Sequence, residues 1–213
     1  MGFTITLIIV IVTAAISIGA FSNDRTKNDL IFYPPAINRG QVYRFISHGF
    51  IHADAAHLIF NMLALYSFGE VVEEVFELPV IFGTKGKFLY LLLYFSGLIV
   101  ASLPDYFRHR TDYYYRSLGA SGAVSAVIFS SIMFNPVGGI GFMFLPGISI
   151  PGYIFAILYL VISTILARRG GDNIGHSAHI TGAIYGLIFT YVTTKLMTNI
   201  DIIQHFIEQI KAG

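Results

Sequence analysis

The chain has no cysteine and very little charge. Without a thiol there is no disulfide, no thiolate metal site and no cysteine nucleophile. Charged residues make up only 12% of the 213 residues, against about 25% in a soluble domain. That level does not supply the polar surface a water-soluble fold needs. The 13 Lys and Arg nearly cancel the 12 Asp and Glu, leaving a formal net charge of +1. No basic stripe is interleaved with aromatics, so nothing points to nucleic acid as a partner. There is also no His-Glu-x-x-His run, and no intramembrane carboxylate placed to complete a zinc site with His48, His52, His57, His176 and His179. A metal transporter or metalloprotease is therefore disfavoured, and neither a metal nor an organic cofactor is expected.

What the chain does have is apolar length. It is 55% hydrophobic, with a mean hydropathy of +0.70. Several stretches approach the roughly 20 residues that cross a bilayer. The pattern predicts an all-α, polytopic membrane protein, a single bundle of six transmembrane helices over residues 1–213, with spans at 3–21, 57–76, 87–103, 117–134, 150–167 and 174–196. The first span is too long for a signal-peptide core, and no Lys or Arg precedes Arg25, so it reads as a helix that stays. The long connection 22–56 is broken by Pro34, Pro35 and Gly40 into short aromatic-rich elements expected at the bilayer edge. Pro104 is expected to stop the third span, ahead of a loop 104–117 rich in Arg and Tyr. The Gly-rich, uncharged stretch 137–149 is expected near the membrane surface, and the mildly amphipathic tail 197–213 as an interfacial helix. No internal repeat divides the chain.

Polar groups inside membrane spans are costly and point to function. Serines alone are weak signals, since they commonly bond to the backbone or pack between helices; Ser125, Ser130 and Ser131 read that way. Ser121 differs because Gly119-Ala120-Ser121-Gly122 frames it with glycines at the start of an apolar helix. There, unpaired N–H groups and the positive end of the dipole favour a developing negative charge. A serine nucleophile needs a base, and His179 opens a later apolar segment as His179-x-x-Gly182-x-x-x-Gly186. His176 lies one turn earlier on the same face and reads as a supporting or entrance residue. Gly182 and Gly186, facing Gly122 and Ala126, would bring the two backbones together. His57 and Asn61, at i and i+4 on the second span, share one face. Both can donate to an oxyanion, although such a pair more often makes interhelical packing bonds.

Gly-x-Ser-Gly on one helix, Ala-His-x-x-Gly-x-x-x-Gly on a later one and His-x-x-x-Asn on the second span, in that family's order, resemble the rhomboid family of intramembrane serine proteases. The resemblance runs from about Tyr43 to Gly186. It implies a Ser121–His179 dyad, with an oxyanion held by His57, Asn61 and the Ser121 backbone N–H, Gly119 being counted with that set. It also implies cleavage of single-pass membrane proteins, access through the fifth helix and the loop 168–175, and residence in the plasma (inner) membrane. A non-catalytic rhomboid-like protein that holds client helices is the alternative. Gly69 and Glu73 resemble a Gly-x-x-x-Glu pattern of the family, while acids at a membrane interface explain them nearly as well. Tyr43-Arg44 stands where many members have Trp-Arg, and Arg44 is expected to stabilise the loop. Some bacterial members carry a tyrosine four residues after the serine that stacks on the histidine. Here that position is Ser125, so another ring is needed for the role.

Charge complicates the orientation. Family topology puts the loops after spans one, three and five outside, yet these hold Arg25, Lys27, Arg39, Arg44, Arg108, Arg110, Arg116, Arg168 and Arg169. The other side keeps only Lys85, Lys87, Lys195 and Lys211. The positive-inside rule favours the opposite orientation.

Overall fold

A computed structural model describes residues 3–142, 145–169 and 175–212. The expected cap at 168–175 lies largely outside the described residues. The described chain forms ten α-helices and one two-stranded hairpin. In chain order the helices are α1 (Ile5–Phe21), α2 (Asp24–Leu30), α3 (Pro34–Ile37), α4 (Arg44–Ser47), α5 (Ala55–Glu77), α6 (Gly86–His109), α7 (Ser121–Phe134), α8 (Gly152–Arg169), α9 (His176–Met197) and α10 (Ile202–Ala212).

Four stretches are helical, long and apolar enough to cross a membrane: α5, residues 83–109 containing α6, α8 and α9. The apolar helices α1 and α7 are shorter, at 17 and 14 residues. At 1.5 Å per residue, α7 reaches only about 21 Å, short of a hydrocarbon core of about 30 Å. Helix α7 is the centre of the bundle. Twelve of its 14 residues are buried, packed among α5, α6 and α9.

Several expected boundaries move. Helix α6 runs through Pro104 to His109 instead of stopping there. A proline removes one backbone donor, and membrane helices tolerate this where nearby hydroxyls adjust the backbone bonding. Ser102 Oγ lies 2.9 Å from both the Leu98 and Ile99 carbonyls, one turn earlier. At the fourth span, helix begins at Ser121 and not near Ser117. Ser117 is instead tied to Phe32 by a reciprocal backbone pair, Phe32 N to Ser117 O at 3.0 Å and Ser117 N to Phe32 O at 3.2 Å. The Gly-rich stretch after α7 contains a hairpin, β1 (Gly139–Phe142) and β2 (Leu145–Pro151), in which Gly139 pairs with Pro151 and Ile140 with Ile150.

The long connection after α1 is built around a buried cation. Arg44 donates to the Asn28 and Ile31 carbonyls (2.8 and 2.7 Å) and to Gln41 Oε1 (2.6 Å), so one guanidinium joins three turns of the loop. Its expected structural role is what these bonds perform. Gly69 and Glu73 join α5 to α1. Glu73 is 2% exposed and accepts from the first helical N–H groups of α1, Ile5 N and Thr6 N, each at 2.8 Å. These are donors a helix cannot satisfy internally, and a carboxylate suits them. A Cβ on Gly69 would sit 2.4 Å from Tyr90 Oη and 2.8 Å from Thr6 Cγ2, so only glycine admits this junction.

Candidate active site

The turn into α7 is set by Gly119. Its φ of +110° is a conformation L side chains rarely adopt, and an added Cβ would meet His57 Cε1 and Nε2 at 2.8 and 2.9 Å. The Gly119 N–H donates to the His48 carbonyl at 2.9 Å. That bond corrects the grouping of Gly119 with the oxyanion donors: its amide is already engaged, and its contribution is the shape of the turn. Ser121 follows as the first residue of α7.

Helices α7 and α9 meet backbone to backbone. A Cβ on Gly182 would lie 2.0 Å from the Gly122 carbonyl oxygen, and one on Gly186 would lie 2.1 Å from that of Ala126. Gly122 in turn faces Ala101 and Ala178, the residue before His179. The glycines thus bring the first turn of α9, with His179, against the first turn of α7, with Ser121. Lower down, Thr190 Oγ1 hydrogen-bonds Ser130 Oγ across the same seam at 2.7 Å.

A cavity of about 630 Å³ opens at this junction, lined among others by Ser121, His179, His57, Asn61, Gly119 and Tyr159. Four candidates for chemistry, drawn from three helices, therefore share one wall system. Asp54 caps α5 by accepting the His57 N–H at 2.8 Å, which fixes the turn that carries His57. Asn61 Nδ2 donates to the His57 carbonyl at 3.0 Å. An amide nitrogen carries two protons, so this bond uses one and orients the group.

Beneath His57 lie two histidines that spacing alone suggested only as possible metal ligands. His52 packs edge-on against His57 with ring centroids 4.9 Å apart, and its Nδ1 lies 2.9 Å from Ser17 Oγ on α1. His48 is buried against Phe32. Burial pushes the His48 imidazole down to about 4. It pushes His52 to about 3, with the neighbouring His57 adding to the effect. Both are neutral struts at neutral pH. Among the described residues no three His, Asp or Glu side chains are grouped as metal ligands would be.

The ring against His179 comes from α8. Tyr159 lies offset-stacked on it, with centroids 6.2 Å apart and planes at 30°, and its hydroxyl is 2.6 Å from Ser125 Oγ. No sequence spacing pointed to Tyr159. Its only advance signal was the absence of a ring at Ser125.

Comparison with known proteins bears on this geometry. The family model described as Rhomboid domain matches residues 39–196. The chain is 28% identical over 195 residues to Rhomboid-related protein 1 of Caenorhabditis elegans, covering 88% of this chain and 48% of that protein. It is 26% identical over 179 residues to Rhomboid protease GlpG of Haemophilus influenzae, covering 80% of each. It is 25% identical over 183 residues to RHOMBOID-like protein 12, mitochondrial, of Arabidopsis thaliana, covering 79% of this chain and 51% of that protein. The chain thus spans about half the length of two of these relatives and most of the third.

Proposed function

The chain belongs to the rhomboid family, and on that premise we propose that it is an intramembrane serine endopeptidase acting through Ser121 and His179. The observation that carries the reading is the α7–α9 seam. Gly182 against Gly122 leaves no room even for a methyl group, and it joins the two helix starts that bear Ser121 and His179 at one cavity, which His57 and Asn61 also line. A relative at 26% identity is named a rhomboid protease, which agrees with the chemistry.

In the proposed reaction, His179 takes the Ser121 hydroxyl proton as Oγ attacks the scissile carbonyl carbon. The C=O π pair moves onto oxygen. His57, the free Asn61 N–H and the Ser121 amide stabilise that oxyanion. Collapse breaks the C–N bond, and the protonated His179 delivers its proton to the leaving amine. Water then attacks the acyl-serine, giving up a proton to His179, which returns it to Ser121 as the acid leaves. Because α7 is short, a serine at its start lies below the membrane surface when the other end sits at the opposite face. The cavity gives water its route to that depth.

The substrates we assign are single-pass membrane proteins within the same bilayer, and the membrane we assign is the plasma (inner) membrane, with fractionation of the expressing cell as the check on location. The direct test of chemistry is labelling of detergent-purified protein with a fluorophosphonate probe. Wild type and His176→Ala should label, and Ser121→Ala and His179→Ala should not. Equal labelling of Ser121→Ala would overturn the assignment. A folded wild type that does not label would favour the non-catalytic, client-holding alternative.

A further inference from the structure

The geometry points to Tyr159 as the positioning residue for the base: we propose that its ring holds His179 in the orientation that faces Ser121, the role being supplied from α8 because α7 carries Ser125, and not a ring, one turn after the nucleophile. The inference rests on the Ser121–His179 reading. Three contacts converge on this one side chain.

The first is the ring itself, stacked on His179 at 6.2 Å and 30°, inside the 4.5–7 Å range in which offset aromatic pairs attract. The second is the phenol, 2.6 Å from Ser125 Oγ. Ser125 donates to the Ser121 carbonyl at 2.8 Å, so the Tyr159 hydroxyl is the donor to Ser125. Tyr159 is thereby connected to both members of the dyad, by its face to His179 and through one hydroxyl to the Ser121 backbone. The third is a brace. Phe129 on α7 and Phe155 on α8 flank the Tyr159 ring at 5.5 and 5.6 Å, which restricts its rotation. An imidazole on the first turn of a helix has two side-chain torsions to settle. Among the described residues, His179 also meets the His176 ring, edge-on at 5.9 Å. An edge contact leaves the ring free to tilt, whereas a face contact fixes its plane.

The test measures fluorophosphonate labelling kinetics, separating the maximal rate of serine modification from the probe's apparent affinity, with a melting temperature for each variant. Wild type and Ser121→Ala come first: a wild type that fails to label defeats the dyad reading, and this proposal with it, before any Tyr159 variant is compared. Tyr159→Phe keeps the ring and should retain the maximal rate to within about fivefold, the scale of one hydrogen bond. Tyr159→Leu and Tyr159→Met remove the ring pair as well as the hydrogen bond and should each lose about tenfold or more in maximal rate, with probe affinity unchanged, the combined scale of the two losses. Rescue by Phe but not by Leu or Met is the signature of positioning, because all three fill the space. Leu and Met variants that label within twofold of wild type would overturn the proposal. So would a loss shared equally by Phe, Leu and Met, or one that only follows a fall in melting temperature.

Discussion

Helices α7 and α8 are both apolar, and their surroundings are opposite. In α7, twelve of 14 residues are buried. In α8, only Gly152 and Ser163 are buried among 18 residues. Helix α7 is also fixed at both ends: Gly119, just before it, is bonded to the His48 carbonyl, and His205 on α10 bonds the carbonyl of its last residue, Phe134, at 3.0 Å. Helix α8 is tied at its start, where the Gly152 and Tyr153 N–H groups donate to the Gly138 and Pro136 carbonyls at 3.0 and 2.8 Å; along its length, its side-chain hydrogen bond to α7 is Tyr159 to Ser125. In a membrane, burial against protein and exposure to lipid are both apolar environments, so packing and hydrogen bonds, and not transfer from water, decide which helix is rigid. The candidate nucleophile thus stands on the most constrained helix, and the ring beside its base on a peripheral one.

The sharpest way to break this contrast is at the glycine seam. Gly182→Val would force side-chain carbon against the Gly122 carbonyl, where a Cβ alone already falls at 2.0 Å. Overpacking of this kind costs about 3 kcal/mol or more, because backbone and not a flexible side chain must move. We expect loss of the folded monomer in detergent, read as a collapsed thermal transition. A Gly182→Val variant that melts with wild type would mean that α7 and α9 are not held by this contact.

Acid should act next, through the struts that hold the start of α7. The folded protein keeps His48 neutral down to about 4, from an ordinary value of 6.5, and burial holds His52 neutral to about 3. Between those values and 6.5 the unfolded chain binds more protons, so stability falls as pH falls. Above about 6.5 these groups make no difference. At 1.36 kcal/mol per pKa unit, His48 alone accounts for at most about 3 kcal/mol by pH 4. Melting temperatures from pH 7.5 to 4 should drop through this window, and His48→Phe should flatten part of the drop. A pH-independent melting temperature would show these imidazoles to be hydrated.

At the far side of the bundle, Glu73→Ala removes the acceptor for two N–H groups of α1. Each orphaned buried donor costs about 1–3 kcal/mol. The variant should melt lower, with the loss concentrated in protection of α1 amides from hydrogen exchange. Uniform loss of protection across α7 as well would make α1 part of the same cooperative unit.

The sequence made legible those features that repeat at helical spacing. His57 and Asn61 at i and i+4, and Gly182 and Gly186 three and seven residues after His179, need only a helix to fall on one side. The structure finds them on helix faces that meet the cavity and α7. Features that join distant segments were not legible. Tyr159 and Ser125 are 34 residues apart, and no periodicity relates them. The Phe32–Ser117 pair, which delays the start of α7, is a backbone bond with no side-chain signature. Pro104 misled because proline's stop is a tendency that membrane helices override, and α6 runs on past it to His109. The cations that counted against the family's orientation include Arg44, which is committed to carbonyls inside its loop, and Arg116, stacked on Tyr33 at 3.5 Å. A charge tally treats both as free.

The smallest expected effect is also the most direct measure of the α7–α8 contrast, because one substitution serves both helices. Ile128 on α7 is 7% exposed and Ile162 on α8 is 53% exposed. Ile128→Ala leaves a gap between helices that neighbouring side chains fill only in part, at a cost of about 2–5 kcal/mol by analogy with soluble cores. Ile162→Ala removes carbons that face lipid whether α8 is docked or not, and acyl chains flow into the space. Surface changes without a packing partner stay within about 0.5 kcal/mol. Melting the two variants side by side in the same detergent should therefore give a clear drop for the first and almost none for the second. Equal drops would mean that the outer face of α8 is covered by a partner, a second copy of the chain being the first to examine by its dependence on protein concentration.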